Sequence, residues 1–318
     1  MKPPYQTTAE ITVLIATVSE KIGEINAAQL QVAPAELRKK NRVRTIHASL
    51  AIEGNTLTIE QVSTVLNNEV VVGPLKDIQE VKNAVVVYNE FDNWKPSDEI
   101  SFLKAHKLML HALTVDAGKY RTKAVGIVKG KKLAHVAPPP SNVKTLMKQL
   151  FGWLKTSKEH PLIKACVFHY ELEFIHPFSD GNGRMGRLWQ SVILARYNSV
   201  FRYLPVESMI RARQKEYYRA LSDSDKCGSS TPFIEFMLKL MGNSLEELLK
   251  TQRVVLKSED RIARIPELFP NAFFTRQDYM RHFKGISSAT ASRDLATATL
   301  NGIIRKSGDK RKTVYKCL

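Results

Sequence analysis

The chain has 318 residues, 43% hydrophobic and 25% charged, enough for two or three domains that each bury a core. Its net charge of +17 favours anionic partners: nucleotides, nucleic acid or an acidic protein face. Three cysteines at unrelated spacings, Cys166, Cys227 and Cys317, exclude a disulfide framework or a CxxC site, and the expectation is a reducing cytoplasm. The apolar run "ITVLIATV" at 11–18 lies between Glu10 and Glu20 with no basic leader and no cleavage site, so neither signal peptide nor membrane span is expected.

In chain order, residues 8–30 carry helical apolar spacing, Pro34 can open a second helix, and "AELRKKNRVRTIHASLAIEG" runs to Gly54, a natural stop. Thr58 is a candidate cap for "TLTIEQVSTVL", and the pattern stays helical through "PLKDIQEVKNAVVVYNEF" and "ISFLKAHKLMLHAL". At 124–136 the period changes, and "AVGIVKGKKLAHV" reads as a hairpin around Lys-Gly-Lys. A helix is expected at 142–155, and "PLIKACVFHYELEFI" at 161–175 is apolar on almost every side, as in a helix buried inside a bundle. Further helices are expected near 184–198, 207–222 and 231–250. The fold class is all-α, or mainly α, with one hairpin. The last sixty or so residues give helix, a turn at Gly285, helix and a basic hairpin around Ser-Gly-Asp, which resembles a winged helix-turn-helix domain.

The central helix leads into "IHPFSDGNGRMGR", residues 175–187. Gly181 and Gly183 flank Asn182 before a helix start, so backbone N–H groups and the positive end of the helix dipole can face an anion. Arg184 and Arg187 share one face of the first turn, where each opposes the dipole by about 0.3–1 kcal/mol unless a negative group lies among them. Asp180 beside phosphates suits Mg2+, and His176 suits a general base. The plainer alternative is a turn in which Asp180 caps the next helix and both arginines are solvated.

The whole string resembles the signature of Fic-domain proteins, HxFx(D/E)GNGRxxR, with every fixed position matched. The resemblance extends over about residues 100–245 and implies an α-bundle with one hairpin. It implies a protein adenylyltransferase, a nucleotidyltransferase that moves AMP from ATP to a Ser, Thr or Tyr hydroxyl of a protein target and releases pyrophosphate. In that reading His176 takes the hydroxyl proton and Asp180 holds Mg2+ against the α- and β-phosphates. Asn182 and the amides around Gly181 and Gly183 bind phosphates, Arg184 lies on the β-phosphate side, and Arg187 reaches the γ-phosphate. Phe178 anchors the loop, and Val125, Gly126, Ile127 and Val128 belong to a flap that pairs with an extended target segment.

Upstream, "SLAIEG" at 49–54 puts Glu53 at a helix end, where the dipole disfavours a carboxylate and a cation is wanted; Ser49 lies one turn earlier on the same face. This resembles the family's inhibitory motif (S/T)xxxE(G/N), which implies that Glu53 pairs with Arg187 and holds ATP in a non-productive pose. Removal of AMP, with the carboxylate positioning water, and a homodimer are further implications. The expected domains are 1–95, helical with the inhibitory helix; 96–255, the catalytic core; and 256–318, the winged helix.

Other signals have plainer readings. His169, Glu173 and His176 are better explained by a core helix than by a metal cluster, Tyr217 and Tyr218 by packing, and Trp94, Trp153 and Trp189 by the core. The run "LRKKNRVR" at 37–44 is a solvated helix face or a surface for acidic nucleotide or protein groups. In the C-terminal segment Arg293, Arg305, Lys306, Lys310, Arg311 and Lys312 suit DNA phosphates. The alternative function is therefore a winged-helix transcription regulator with the Fic core as nucleotide sensor, and an interaction module is the alternative for that domain.

Overall fold

The computed structural model describes residues 2–27, 35–129, 132–253, 257–270, 272–283, 286–309 and 313–318, with side chains at 35–37, 126–136 and 251–253 left aside. The expected turn and start residues Pro34, Gly130, Lys131 and Gly285, and the basic Lys310, Arg311 and Lys312, lie outside the described residues. The protein is mainly α and divides into two compact units, Met1–Glu246 and Glu247–Leu318.

The first unit begins with α1 (Ala9–Ala27), α2 (Ala35–Ile52), α3 (Ile59–Leu66), α4 (Leu75–Asn89), a 3-10 turn at Phe91–Asn93 and α5 (Glu99–Met109). Local chemistry sets the boundaries. Gly54 takes φ 93°, open to glycine, and the Asn55 N–H bonds back 3.1 Å to the Leu50 carbonyl, which closes α2. Thr58 caps α3 through a reciprocal pair: its hydroxyl accepts the Gln61 N–H at 3.2 Å, and the Gln61 side chain accepts the Thr58 N–H at 2.8 Å.

Strands β1 (Gly126–Lys129) and β2 (Lys132–Val136) form an antiparallel hairpin whose register shifts between Ile127 and Val128. Then come α6 (Pro140–Thr156), α7 (Pro161–Ile175) and α8 (Asn182–Tyr197). Helix α7 is buried on nearly every side, which is why its sequence lacks a polar face. Phe102 of α5 is the hub of the core, with ring centroids 5.4 Å from Phe151, 5.5 Å from Phe178 and 5.0 Å from Trp189. The loop between α7 and α8 is thus tied to the centre of the bundle through Phe178. Trp94, Trp153 and Trp189 are all buried.

After a 3-10 turn at Ser199–Arg202 follow α9 (Val206–Ala212), α10 (Gln214–Cys227) and α11 (Thr231–Arg253). The single helix expected near 207–222 is two, broken at Arg213 (φ −119°) with neither glycine nor proline to mark it. The cause is tertiary: α9 packs on α2, whereas α10 turns toward β2.

The second unit contains α12 (Ser258–Ala263), α13 (Ile265–Leu268), β3 (Phe273–Phe274), α14 (Arg276–His282), α15 (Ser288–Leu300), β4 (Ile304–Ser307) and β5 (Val314–Cys317). Its sheet has the order β3-β5-β4, antiparallel throughout, with Ile304 opposite Cys317 and Ser307 opposite Val314. Residues including Ile265, Phe274, Tyr279 and Leu295 fill a small core. Within it Asp294, 1% exposed, accepts from Arg261 Nε at 2.6 Å, the Tyr279 hydroxyl at 3.1 Å and Ser258. No described helix is long and apolar enough to cross a membrane.

Asp294→Ala strips the buried Arg261 of its counter-charge, so a loss of about 3–5 kcal/mol is expected in the second unit. Amide exchange in the full-length chain reads it, as faster exchange in α15 and β5 with α7 and α8 unchanged.

Candidate active site

The site is built where α7 stops and α8 starts. His176 ends α7 in the left-handed conformation (φ 49°, ψ 59°), its N–H on the Leu172 carbonyl at 2.9 Å, so the chain reverses just after the imidazole. Its Nδ1 lies 3.4 Å from the Glu173 carbonyl. Arg121 holds this turn and was not singled out by sequence. Its Nε donates to the His176 carbonyl at 2.7 Å, and its other nitrogens donate to the carbonyls of Lys123 at 3.0 Å, Pro138 at 2.6 Å and Ile175 at 3.3 Å. One buried guanidinium therefore ties both roots of the β1–β2 hairpin to the backbone of His176.

The loop that follows is fixed by side chains folding back on it. The Asn182 carbonyl oxygen accepts the Phe178 N–H and its NH2 group donates to the Phe178 carbonyl, both at 2.9 Å. The Asn182 amide thus bridges the two main-chain groups of Phe178 and fixes the loop, with one N–H of its NH2 group used in that bridge. His106 of α5 is a second residue missed by sequence. Its Nδ1 accepts the Gly118 N–H at 2.8 Å, which leaves the proton on Nε2 to be donated to the Asp180 carbonyl at 3.0 Å. The same ring stacks on Phe178 at 3.6 Å between centroids. Burial pushes the His106 pKa down to about 4, against the upward pull of its bond to Asp180. Gly181 has φ 84°, and a Cβ there would come within 2.6 Å of Leu110, so neither backbone nor space admits a side chain.

The three charged residues of the loop have defined partners. Asp180 accepts from the Gly181 N–H at 2.6 Å and from Arg184 at 2.8 Å. Burial raises its pKa, but the Arg184 charge and these hydrogen bonds outweigh it and hold the carboxyl below its usual range. Arg184 also reaches Glu80 of α4 at 3.2 Å, while its Nε is buried without a hydrogen-bond partner. Glu80 in turn accepts from Asn55 at 2.8 Å.

Arg187, 2% exposed, donates Nε to the Ser49 hydroxyl at 3.1 Å and a terminal nitrogen to the Ser49 carbonyl at 2.9 Å and to Glu53 at 2.7 Å. Burial works against its charge, yet Glu53 more than compensates and lifts its pKa. The end of α2 and the start of α8 thus meet as opposite dipole ends bridged by an ion pair. Glu53 also presses on the first turn of α8: a Cβ at Gly183 would lie 2.3 Å from its carboxylate oxygen. A carboxylate therefore lies where the backbone and dipole favour an anion.

Both arginines are buried, which removes the solvated alternative. His169 is buried against Gln190 and, at 3.1 Å, the Tyr217 hydroxyl, and burial pushes its pKa down to about 3. It is a core histidine. Among the described residues no group of three or more His, Cys, Asp or Glu is gathered to hold a metal. Asp180, ionised and with its side chain 52% exposed, fits a hard cation that takes its other oxygens from phosphate and water. Val125 is half-buried, Gly126, Ile127 and Val128 lie in β1, and the side chains of 126–136 are outside the described set.

Residues 96–194 match the model of the Fic/DOC family. A solved Fic family protein from Desulfovibrio desulfuricans G20 is 40% identical, covers 100% of this chain and 98% of its own, and superposes with a TM-score of 0.77. The chain belongs to the Fic family. It is also 30% identical over 250 residues to the protein adenylyltransferase fic-1 of Caenorhabditis elegans, covering 74% of this chain and 47% of that protein. A protein adenylyltransferase Fic of Nematostella vectensis is 27% identical, covering 78% of this chain and 59% of that one. The chain thus spans about half the length of these curated relatives.

Stability should fall on acidification between about pH 6.5 and 4. The unfolded chain protonates His106 near 6.5, whereas the folded protein refuses the proton down to about 4. The contribution is whole above 6.5 and declines below it by an amount on the order of 3 kcal/mol. Urea midpoints across this range should show a shallower decline in His106→Gln; an identical decline would assign the loss elsewhere.

Proposed function

We propose that this chain is a protein adenylyltransferase that transfers AMP from ATP to a Ser, Thr or Tyr hydroxyl of a protein, and that its own α2 holds it inactive. The observation that carries the reading is the Glu53 carboxylate on Arg187 at the start of α8, an anion standing where a polyphosphate end would go. With a proton on Nδ1 facing the Glu173 carbonyl, His176 Nε2 is the nitrogen that takes the target hydroxyl proton. The hydroxyl oxygen then bonds to the α-phosphorus of ATP, the bond from that phosphorus to the bridging oxygen breaks, and pyrophosphate leaves. Asn182 and the backbone amides around Gly181 and Gly183, with Arg184 and Arg187, hold the phosphates once Glu53 withdraws. Mg2+ on Asp180 would supply charge neutralisation at the phosphates. The β1–β2 hairpin offers an edge to an extended target segment.

Glu53→Gly should raise AMP incorporation, read by intact mass after incubation with ATP, by about tenfold or more, since tenfold corresponds to only about 1.4 kcal/mol. Parallel incubations with GTP, CTP and UTP name the donor by the mass gained. His176→Ala should lower transfer by about 100-fold or more while ATP still binds. Unchanged incorporation in Glu53→Gly would sink the brake. Reversal is a subsidiary proposal: an AMP-bearing target loses its label with wild type and keeps it with Glu53→Ala.

A second reading concerns residues 256–318, taken as a winged helix that binds DNA in a transcription regulator. It rests on the exposed Arg293 of α15 and Arg305 and Lys306 of β4. A gel shift by the full chain that weakens with salt and is lost in Arg293→Glu/Arg305→Glu supports it; no shift at low salt leaves a protein-interaction module.

A further inference from the structure

The basic run at the start of α2 takes no part in the site above, yet it lines a cavity of about 690 Å3 between α2, α4 and the 3-10 turn at 199–202. Arg38, Lys39 and Arg42 of α2 and Arg202 of the turn supply four positive groups, and Asp92, 3.3 Å from Arg202, is the one acid among the described residues of the lining. Lys39 is oriented by Asn67 at 2.8 Å, and Arg42 donates to the Tyr88 carbonyl. Tyr88 and Phe91, stacked at 6.3 Å between centroids, form an aromatic wall. The volume suits a small ligand, and four cations around one acid call for several negative charges on it.

None of these residues belongs to the loop at 176–187. Arg42 and Glu53 are eleven positions apart on α2, about 16 Å along a helix. They are nevertheless connected, because Arg38, Arg42, Thr45, Ser49 and Glu53 recur every three or four residues and form one stripe. The first three line the cavity; the last two hold Arg187. Between the halves, Thr45 donates to the buried carboxylate of Glu207 at 3.4 Å, so the stripe is anchored to α9 at its midpoint.

We propose that this cavity is a second anion site, taking a small ligand with an oligophosphate chain, and that its occupation tightens the grip of α2 on Arg187. Such a ligand ties the first half of α2 to α4 and the 199–202 turn, and so binds best to the position of α2 in which Ser49 and Glu53 engage Arg187. By linkage it stabilises that position. The tightening rests on the brake proposed above; the binding does not. The shared chemistry is the oligophosphate, carried by a nucleotide or free.

The test uses the full chain, titrated calorimetrically with sodium tripolyphosphate. Arg38→Gln/Arg202→Gln alters two exposed side chains and leaves the core untouched, whereas Arg184→Gln/Arg187→Gln disables the loop cradle. Affinity should fall at least tenfold in the first variant and, in the second, by no more than the several-fold that the coupling to Arg187 itself contributes. The opposite pattern, or no binding by wild type at millimolar ligand, overturns the site. In the loop variant, ATP binding tighter than tripolyphosphate identifies a nucleotide as occupant, and equal affinity identifies free oligophosphate. For the coupling, amide exchange at Leu50–Asn55 in wild type should slow several-fold on adding tripolyphosphate; unchanged exchange with ligand bound overturns the coupling alone. If the ligand binds and slows exchange while Glu53→Gly leaves AMP transfer unchanged, the brake fails and the cavity stands.

Discussion

Arg187 carries a full charge in a place almost closed to water, at the end of a helix that repels it. Within α8 nothing compensates for this, and an unpaired guanidinium there would cost several kcal/mol. The compensation comes from α2, which supplies the Ser49 hydroxyl, the Ser49 carbonyl and the Glu53 carboxylate. Because these groups stand at the closing turn of α2, where carbonyls point outward, the two helix ends satisfy each other. The site is therefore not a preformed empty cradle but one whose counter-ion belongs to another part of the same chain. Any polyphosphate that reaches Arg187 fully competes with an intramolecular carboxylate whose effective concentration is high.

The remainder of the loop is held by hydrogen bonds to its main chain. Asn182 stitches it to itself, His106 supports the Asp180 carbonyl from below, and Arg121 holds the backbone on either side of His176. These three residues are buried and aimed at main-chain groups, so they set where the imidazole and the amides stand. Arg121 also grips the hairpin roots, which makes the geometry of His176 and the footing of the hairpin one structural problem.

Much of the fold was legible because its signals are local. Gly54 as a stop, Thr58 as a cap, the apolar α7 and the hairpin at 126–136 are each written within a turn or two of chain. The loop was legible for another reason: nine or so residues of unusual type are contiguous, so their chemistry shows without a structure. Glu80, His106 and Arg121 were not legible, since each is an ordinary residue on a helix or in a loop whose partners between His176 and Arg184 are 55 to 104 positions away. The break between α9 and α10 was hidden for the same reason, being imposed by α2 and β2 rather than by any residue at 213. The role of Asn182 was half visible: its presence was plain, but its side chain turning back on Phe178 was not.

The glycine at 183 is helical and has no left-handed backbone to demand it. What forbids a side chain there is the Glu53 carboxylate, which a methyl group would strike. Two positions 130 residues apart in the sequence are thus constrained as one. A methyl group at 183 would strike the Glu53 carboxylate and would also lie 3.1 Å from a terminal nitrogen of Arg187, so it presses on both members of the ion pair. The closing turn of α2 and the first turn of α8 therefore meet at a point where only the smallest residue leaves room for the carboxylate.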